Sequence, residues 1–255
     1  MTVLAPLLSA PDEALVALDF DGTLAPIVPD PTQARALPEV VPVLRRLAPA
    51  LRAIVIITGR PAGLAVEYGG FADVHNLTVL GQYGLECWSE GRLESPPEHP
   101  GVAEARRKLP LLLERAPEGV YLEDKGHALA VHTRRAAEPE VALERLRSIV
   151  EALAERTGLV VEPGRLVLEL RPPGMDKGKA LTSFAAEVKA GSVLVAGDDL
   201  GDLAAFDAAD SLGIPAVKVC SGSTEVTALA ERADIVVDGP RGVVELLAEL
   251  ADAVA

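Results

Sequence analysis

The sequence predicts an α/β fold: a doubly wound parallel-sheet core carrying an inserted α+β domain. Three observations support that prediction. Short runs rich in β-branched residues recur toward both ends of the chain, as strands buried on two faces do. Helical periodicities lie between several of these runs. The middle third differs, because breaker-rich segments bound it and its strands alternate apolar with charged residues.

In chain order, Leu15-Val16-Ala17-Leu18 reads as the first buried strand, and Gly22 gives the backbone freedom for a sharp exit. Val40, Val43, Leu44 and Leu47 recur at helical spacing, with Pro38 and Pro42 near the start. Residues 53–57 and 77–80 read as further buried strands. Ser95-Pro96-Pro97-Glu98-His99-Pro100-Gly101 is a breaker-rich linker. Beyond it, Leu143, Leu146, Ile149, Val150 and Leu153 form one stripe of a helix over 140–156, with Gly158 at its stop. Leu166, Leu168 and Leu170 alternate with Val167, Glu169 and Arg171, as in a strand with one packed face and one charged face. Pro172-Pro173-Gly174 closes the insert, and strands resume at 193–196, 216–219 and 235–237. Residues 1–97 and 172–255 are therefore assigned to the core and residues 98–171 to the insert, which can work as a lid.

Composition narrows the function. The 255 residues are 49% hydrophobic and carry 24 Lys plus Arg against 38 Asp plus Glu, a formal charge of −14. That field repels nucleic acid and anionic lipid, so an anionic substrate needs a locally built site. Aromatic residues make up 3%, too few for base-stacking surfaces. Cys87 and Cys220 have no metal-ligand spacing and read as two buried free thiols. The N-terminal residues lack a basic segment and are broken by Pro6, Pro11, Asp12 and Glu13, and no apolar stretch approaches the ~18 residues of a membrane span. The expectation is a soluble, cytoplasmic protein.

Four segments concentrate polar chemistry at strand ends. Asp19 and Asp21 stand two residues apart where the first strand breaks, at the carboxyl end where open α/β sheets place ligands. One carboxylate there can attack phosphorus while the other donates and later accepts a proton, although a solvated turn explains the dipeptide pattern alone. Thr58-Gly59-Arg60-Pro61 offers a hydroxyl and backbone N–H groups at a helix start, a setting that favours phosphate, with Pro61 at the first helical position. A plain turn and a surface Arg60 are the alternatives. In residues 174–180 a Lys is flanked by glycines, but the P-loop spacing is not met. Lys177 can neutralise a phosphoryl oxygen, with Lys179 its local competitor. Gly197-Asp198-Asp199-Leu200-Gly201-Asp202 places three carboxylates within five residues at another strand end, and such hard ligands suit Mg²⁺. A helix cap accounts for one of them, Asp202, but not for three.

Asp19-Phe20-Asp21-Gly22-Thr23, Thr58-Gly59-Arg60, Lys177-Gly178 and Gly197-Asp198-Asp199 follow the order of the four motifs of the haloacid dehalogenase superfamily of phosphohydrolases, which the chain resembles. The resemblance implies a Rossmann-like core, an aspartyl-phosphate at Asp19, and Asp21 as general acid and base. It further implies phosphate contacts from Thr58, Lys177 and the Gly59-Arg60 loop, and Mg²⁺ held by Asp19, the Asp21 backbone and Asp198, with Asp199 and Asp202 supporting.

Residues 21–27, Gly81-Gln82-Tyr83-Gly84-Leu85-Glu86, Glu123-Asp124-Lys125-Gly126, Val131-His132-Thr133-Arg134 and Glu169-Leu170-Arg171-Pro172 are similar to trehalose-6-phosphate phosphatases. That narrower resemblance implies an inserted cap in which Glu123, Lys125 and Glu169 bind the sugar, with Glu86, His132 and Arg134 as further candidates. His127 and Gly201 depart from the family pattern, standing where a small hydroxyl residue and a Thr are expected. The implied function is Mg²⁺-dependent hydrolysis of trehalose 6-phosphate, alongside a trehalose-phosphate synthase. Another sugar-phosphate phosphatase, a phosphomutase, and a non-enzymatic phosphosugar sensor are the alternatives.

Overall fold

A computed structural model describes residues 3–164, 166–222 and 227–254. The chain divides into two compact units, Met1–Ser95 with Asp176–Ala255, and Pro96–Met175. The sequence-based boundaries stand at 97/98 and 171/172. In chain order the strands are β1 Ala14–Leu18, β2 Ala53–Ile57, β3 Leu77–Gly81, β4 Glu86–Ser89, β5 Arg92–Glu94, β6 Tyr121–Asp124, β7 Leu129–His132, β8 Val160–Gly164, β9 Val167–Arg171, β10 Ser192–Gly197, β11 Ala216–Gly222 and β12 Ile235–Asp238.

The first unit holds an eight-stranded sheet in the order β12-β11-β10-β1-β2-β3-β4-β5. The pairs from β12 to β3 are parallel, and β4 and β5 add on antiparallel. Every residue of β1, β2 and β10 is buried, which requires helices on both faces. Val16, Leu18, Ile54 and Ile56 join one apolar cluster with Val40, Val43, Leu44 and Leu47 of the helix Val40–Leu47 and Leu247 and Leu250 of the helix Gly239–Val254. On the other face Lys177–Val188 packs on β2, and Leu203–Ser211 packs on β10 and β11. From β1 the chain moves to β2 on one side, whereas β10 leads to β11 on the other. The order therefore reverses between β1 and β10, the crevice where such sheets bind ligands.

At the sheet edges the structure departs from the sequence reading. β12 is only half-buried, with Val236 exposed, because as the last strand it lacks a neighbour on one side. The β4–β5 hairpin was not foreseen: Glu90 and Gly91 turn it with φ of +50° and +78°, a tight turn favoured between antiparallel strands. Cys87 lies on that hairpin and is half-buried, contrary to the expected burial, while Cys220 is buried; both are free thiols.

The second unit is a four-stranded antiparallel sheet, β6-β7-β9-β8, with the helices Pro100–Leu112 and Pro139–Thr157 packed on each other and on the sheet. Leu129, Val131, Leu168 and Leu170 face the helices and share a core with Leu109, Leu146, Val150 and Leu153. The breaker segment ends earlier than expected: the His99 side chain caps Gly101 and Pro100 begins the helix, a position that wastes no N–H. In the second helix Ile149 is exposed, and Ala142 and Ala154 fill the buried stripe in its place. Gly158 closes that helix at φ +68°. Leu166 is a turn residue at φ +59°, so β9 starts at Val167. Glu169 and Arg171 take the charged face as expected, yet both are buried there, with Glu169 paired to Lys125 and Arg171 to Glu162. Among the described residues no helix is long and apolar enough to cross a membrane.

Candidate active site

Asp19 follows β1 directly, and its N–H donates to Ala196 O at 2.9 Å, which continues the pairing with β10 for one more residue. Phe20 is fully buried edge-on against Phe71 and anchors the backbone between the two acids. Asp19 therefore stays in the crevice, whereas Asp21 turns to Arg60. Both oxygens of Asp21 accept from that guanidinium, at 2.6 and 2.7 Å. Gly22 has φ +77°, and a Cβ there would stand 2.0 Å from Asp198 Oδ2, so only glycine fits. Ser221 Oγ donates to Gly22 O at 2.6 Å and ties this turn to the end of β11.

Lys177 opens its helix, which Asp176 caps by accepting from Lys179 N at 2.8 Å. The Lys177 ammonium donates to Asp19 Oδ1 and to Asp202 Oδ1, both at 2.7 Å. Gly178 lets the helix approach closely, since a Cβ would meet Ala204 O at 2.3 Å. Lys179 points outward with a surface contact to Asp176, which removes it as the competitor for this position. A buried ammonium costs several kcal/mol unless paired, and two carboxylates supply that pairing.

After β10, Asp199 accepts from Gly201 N at 2.9 Å, and Asp202 Oδ2 accepts from the N–H groups of Asp198 and Asp199 at 3.0 and 3.3 Å. This reciprocal cap opens the turn Leu200–Asp202, so capping occupies two acids where one was expected. The same arrangement turns Asp198 inward. Carboxylate oxygens of Asp19, Asp198 and Asp202 lie within 4.8 Å of one another. The Asp21 side chain is taken by Arg60, which leaves its backbone carbonyl as the group expected at the metal, and the Asp199 side chain, expected to support the metal, accepts from the cap.

The electrostatics show excess negative charge. Burial pushes the Asp19 carboxyl well above its ordinary range; Lys177 opposes that shift, and Asp202 and Asp198 add to it. Asp198 is pushed up to about 8, by burial first and then by Asp199 and Asp202. Burial also raises Asp202, against Lys177. For Lys177, burial favours the neutral amine, but Asp19, Asp202 and Asp199 outweigh it and hold the ammonium well above its usual range. The three crowded carboxylates form an oxygen-only donor set that fits a hard metal cation, and the Lys177 ammonium offsets part of their charge.

Thr58 is buried at the end of β2, and its Oγ1 accepts from Arg60 N at 3.1 Å. The loop is held from below by Gln82 and Tyr83, two non-glycine residues at φ +50° and +58°. Gln82 N donates to Arg60 O and Tyr83 N to Thr58 O, each at 2.9 Å, and a Cβ on Gly59 would come within 2.7 Å of the Tyr83 hydroxyl. Strain of this kind costs ~1–3 kcal/mol per residue and persists where the surroundings impose it. Pro61 is the residue before the helix Ala62–Gly69, not its first residue. Glu86, a sugar-binding candidate, is buried and accepts from Ala62 N at 2.7 Å, so it holds that helix start.

In the second unit, register places Glu123, Ala130, Glu169 and Glu162 side by side on the sheet face opposite the helices. His132 Nε2 meets Glu123 Oε2 at 2.8 Å and stacks on Tyr121 at 4.6 Å between ring centres. Lys125 pairs with Glu169, whose Oε1 is buried without a hydrogen-bond partner among the described residues. Arg134 is half-buried just beyond β7, and His127 is buried in the β6–β7 turn.

The trehalose-phosphatase family model matches residues 17–237, most of the chain. The chain belongs to the trehalose-phosphatase family. It is 30% identical over 214 residues to the trehalose-6-phosphate phosphatase of Escherichia coli, covering 82% of this chain and 78% of that protein. It is 34% identical over 212 residues to an uncharacterized glycosyl hydrolase of Mycobacterium tuberculosis, covering 78% of this chain but only 15% of that much longer protein. Among solved structures, the trehalose-6-phosphate phosphatase of Aspergillus fumigatus superposes with a TM-score of 0.67 at 26% identity, covering 98% and 97% of the two chains.

For this member of the trehalose-phosphatase family, the four sequence motifs locate the groups that converge beside β1 and β10. Phe20, Gln82, Tyr83 and Ser221 were missed as contributors. Gln82 and Tyr83 lie within the segment 81–86 that resembles the family, but no local pattern signals two consecutive left-handed residues that lack glycine's backbone freedom.

Proposed function

We propose that the protein is a Mg²⁺-dependent phosphatase that hydrolyses trehalose 6-phosphate to trehalose and phosphate. The observation that carries this reading is Lys177 bridging Asp19 and Asp202 beside Asp198, with Asp21 two residues beyond Asp19 at the same strand end. Asp19, Asp198 and Asp202 are the groups that would hold Mg²⁺, which when bound offsets negative charge on the phosphoryl group.

Asp19 is the nucleophile. A carboxylate oxygen attacks phosphorus, the bond from phosphorus to the sugar oxygen breaks, and protonated Asp21 gives its proton to that oxygen. Asp21 then takes a proton from water as the water oxygen attacks the acyl phosphate, which frees phosphate and restores Asp19. Lys177 favours the ionised form of Asp19 against the burial that opposes it and stabilises charge on the transferring group, and Thr58 with the Gly59-Arg60 loop orients it. Both oxygens of Asp21 are held by Arg60 at rest, so Asp21 acts only once Arg60 exchanges it for the phosphoryl oxygens. Glu123, Lys125 and Glu169, with His132 and Arg134 beside them, supply alternating acceptors and donors that suit a polyol. This reading places the protein in the cytoplasm beside a synthase that forms the sugar phosphate.

The test is phosphate release from trehalose 6-phosphate, sucrose 6-phosphate and glucose 6-phosphate, with Mg²⁺ and with chelator. Strong preference for the first substrate, lost on chelation, is expected. Equal rates on all three would overturn the substrate assignment, and binding without release would favour a sensor.

A further inference from the structure

We propose that Arg106, acting through Asp124, is a positioning residue for Lys125 and hence a determinant of sugar specificity. The proposal rests on the reading that Lys125 contacts the sugar. Arg106 lies on the helix Pro100–Leu112, away from the sheet face that carries Glu123 and Glu169. Its guanidinium nevertheless holds both residues that flank Lys125. Nε donates to Asp124 Oδ2 at 2.5 Å, and Nη2 donates to Asp124 Oδ1 at 2.9 Å and to Gly126 O at 2.7 Å. Nη1 pairs with Glu98, which fixes the fork from behind. Asp124 Oδ1 in turn accepts from Gly126 N at 2.9 Å, and Lys125 N donates to Ala128 O at 2.9 Å to close the turn.

Lys125 thus lies between two neighbours that Arg106 holds, Asp124 through its side chain and Gly126 through its backbone. Stability gives a weak reason for such a clamp. Arg106 and Asp124 are partly exposed, and exposed ion pairs contribute only ~0–1 kcal/mol. Orientation gives a stronger one. Lys125 has a long side chain with several free rotations, and its ammonium reaches Glu169 only if the turn holds its Cα in place. A planar bidentate fork fixes direction as well as distance, which a lysine at position 106 could not do.

The experiment is a double-mutant cycle, with Arg106→Ala and Lys125→Ala singly and together, on trehalose 6-phosphate and on p-nitrophenyl phosphate with Mg²⁺. Arg106→Ala should raise KM for trehalose 6-phosphate by ~5–10-fold, the scale of a weakened charged hydrogen bond, with kcat and p-nitrophenyl phosphate turnover nearly unchanged. In the Lys125→Ala background the same substitution should add less than about twofold, because coupled residues are non-additive. Arg106→Lys should recover only part of the loss. Full additivity, or equal losses on both substrates, would overturn the proposal. If Lys125→Ala impairs trehalose 6-phosphate hydrolysis and Arg106→Ala does not, the clamp alone fails. If Lys125→Ala itself has no effect, the sugar-binding reading fails and the clamp fails with it. Should Arg106→Ala not fold, Asp124→Asn enters the same cycle with the same expectations.

Discussion

Crowding of Asp19, Asp198 and Asp202 makes the metal-free protein lose stability as pH rises. An acid raised in the fold keeps its proton there at a pH where the unfolded chain has released it, so the unfolded state gains stability relative to the fold on alkalinisation. Asp198 is raised from 3.8 to about 8, so its contribution falls throughout that window, by up to ~1.4 kcal/mol per pH unit. Between pH 5 and 7 that amounts to at most ~3 kcal/mol from this group, or about 6–12 °C in Tm for a chain of this size. Asp19 and Asp202 shift in the same direction. The upward shift of Lys177 leaves this window untouched, since the stability it gives is fully present below its ordinary value. A divalent cation satisfies the carboxylates, so its stabilisation must grow with pH. The assay is thermal unfolding from pH 5 to 8, with chelator and with millimolar Mg²⁺, for the wild type and Asp198→Asn. The wild type should show a falling Tm in chelator, a shallower fall with Mg²⁺, and a flatter chelated profile in Asp198→Asn. A flat or rising chelated profile, or an Asp198→Asn slope equal to that of the wild type, would refute the reasoning.

Other perturbations probe single parts of the site. Lys177→Met should abolish turnover and lower stability by ~3–5 kcal/mol in chelator, because it leaves two buried carboxylates without their shared cation; denaturant unfolding measures it. Gly22→Ala should weaken cation binding at least ~10-fold by displacing Asp198, with titration calorimetry as the readout. Arg60→Lys keeps a charge beside Asp21 but loses the fork, and should lower kcat/KM by roughly 10–100-fold in steady-state assays.

What the sequence revealed and what it hid have separate physical origins. Buried strands announce themselves because both faces must be apolar, and residues 15–18, 53–57 and 193–196 lie within or coincide with β1, β2 and β10. β4 and β5 carry mixed residues at a sheet edge, where one-sided burial leaves no clear pattern. At the site, motif spacing pointed to the acids and Lys177, but spacing does not say where a carboxylate turns. Asp21 faces Arg60 because a tertiary neighbour decides its direction, whereas Asp199 is spent on a local cap to Gly201. The burial of Glu169 and Arg171 was hidden because their partners are distant, Lys125 in the β6–β7 turn and Glu162 on β8, and long-range pairing is invisible to a local window. Lys177 over Lys179 was settled by Gly178, whose missing side chain lets the helix approach Ala204 and turns the first lysine inward.

The most direct test of the account is acid quenching of the protein during turnover of trehalose 6-phosphate with Mg²⁺, followed by peptide mass mapping. The account predicts one phosphoryl group on the peptide bearing Asp19, and neither that label nor phosphate release in Asp19→Asn. Phosphate release by Asp19→Asn at the wild-type rate, or a label carried on any other residue, would contradict it.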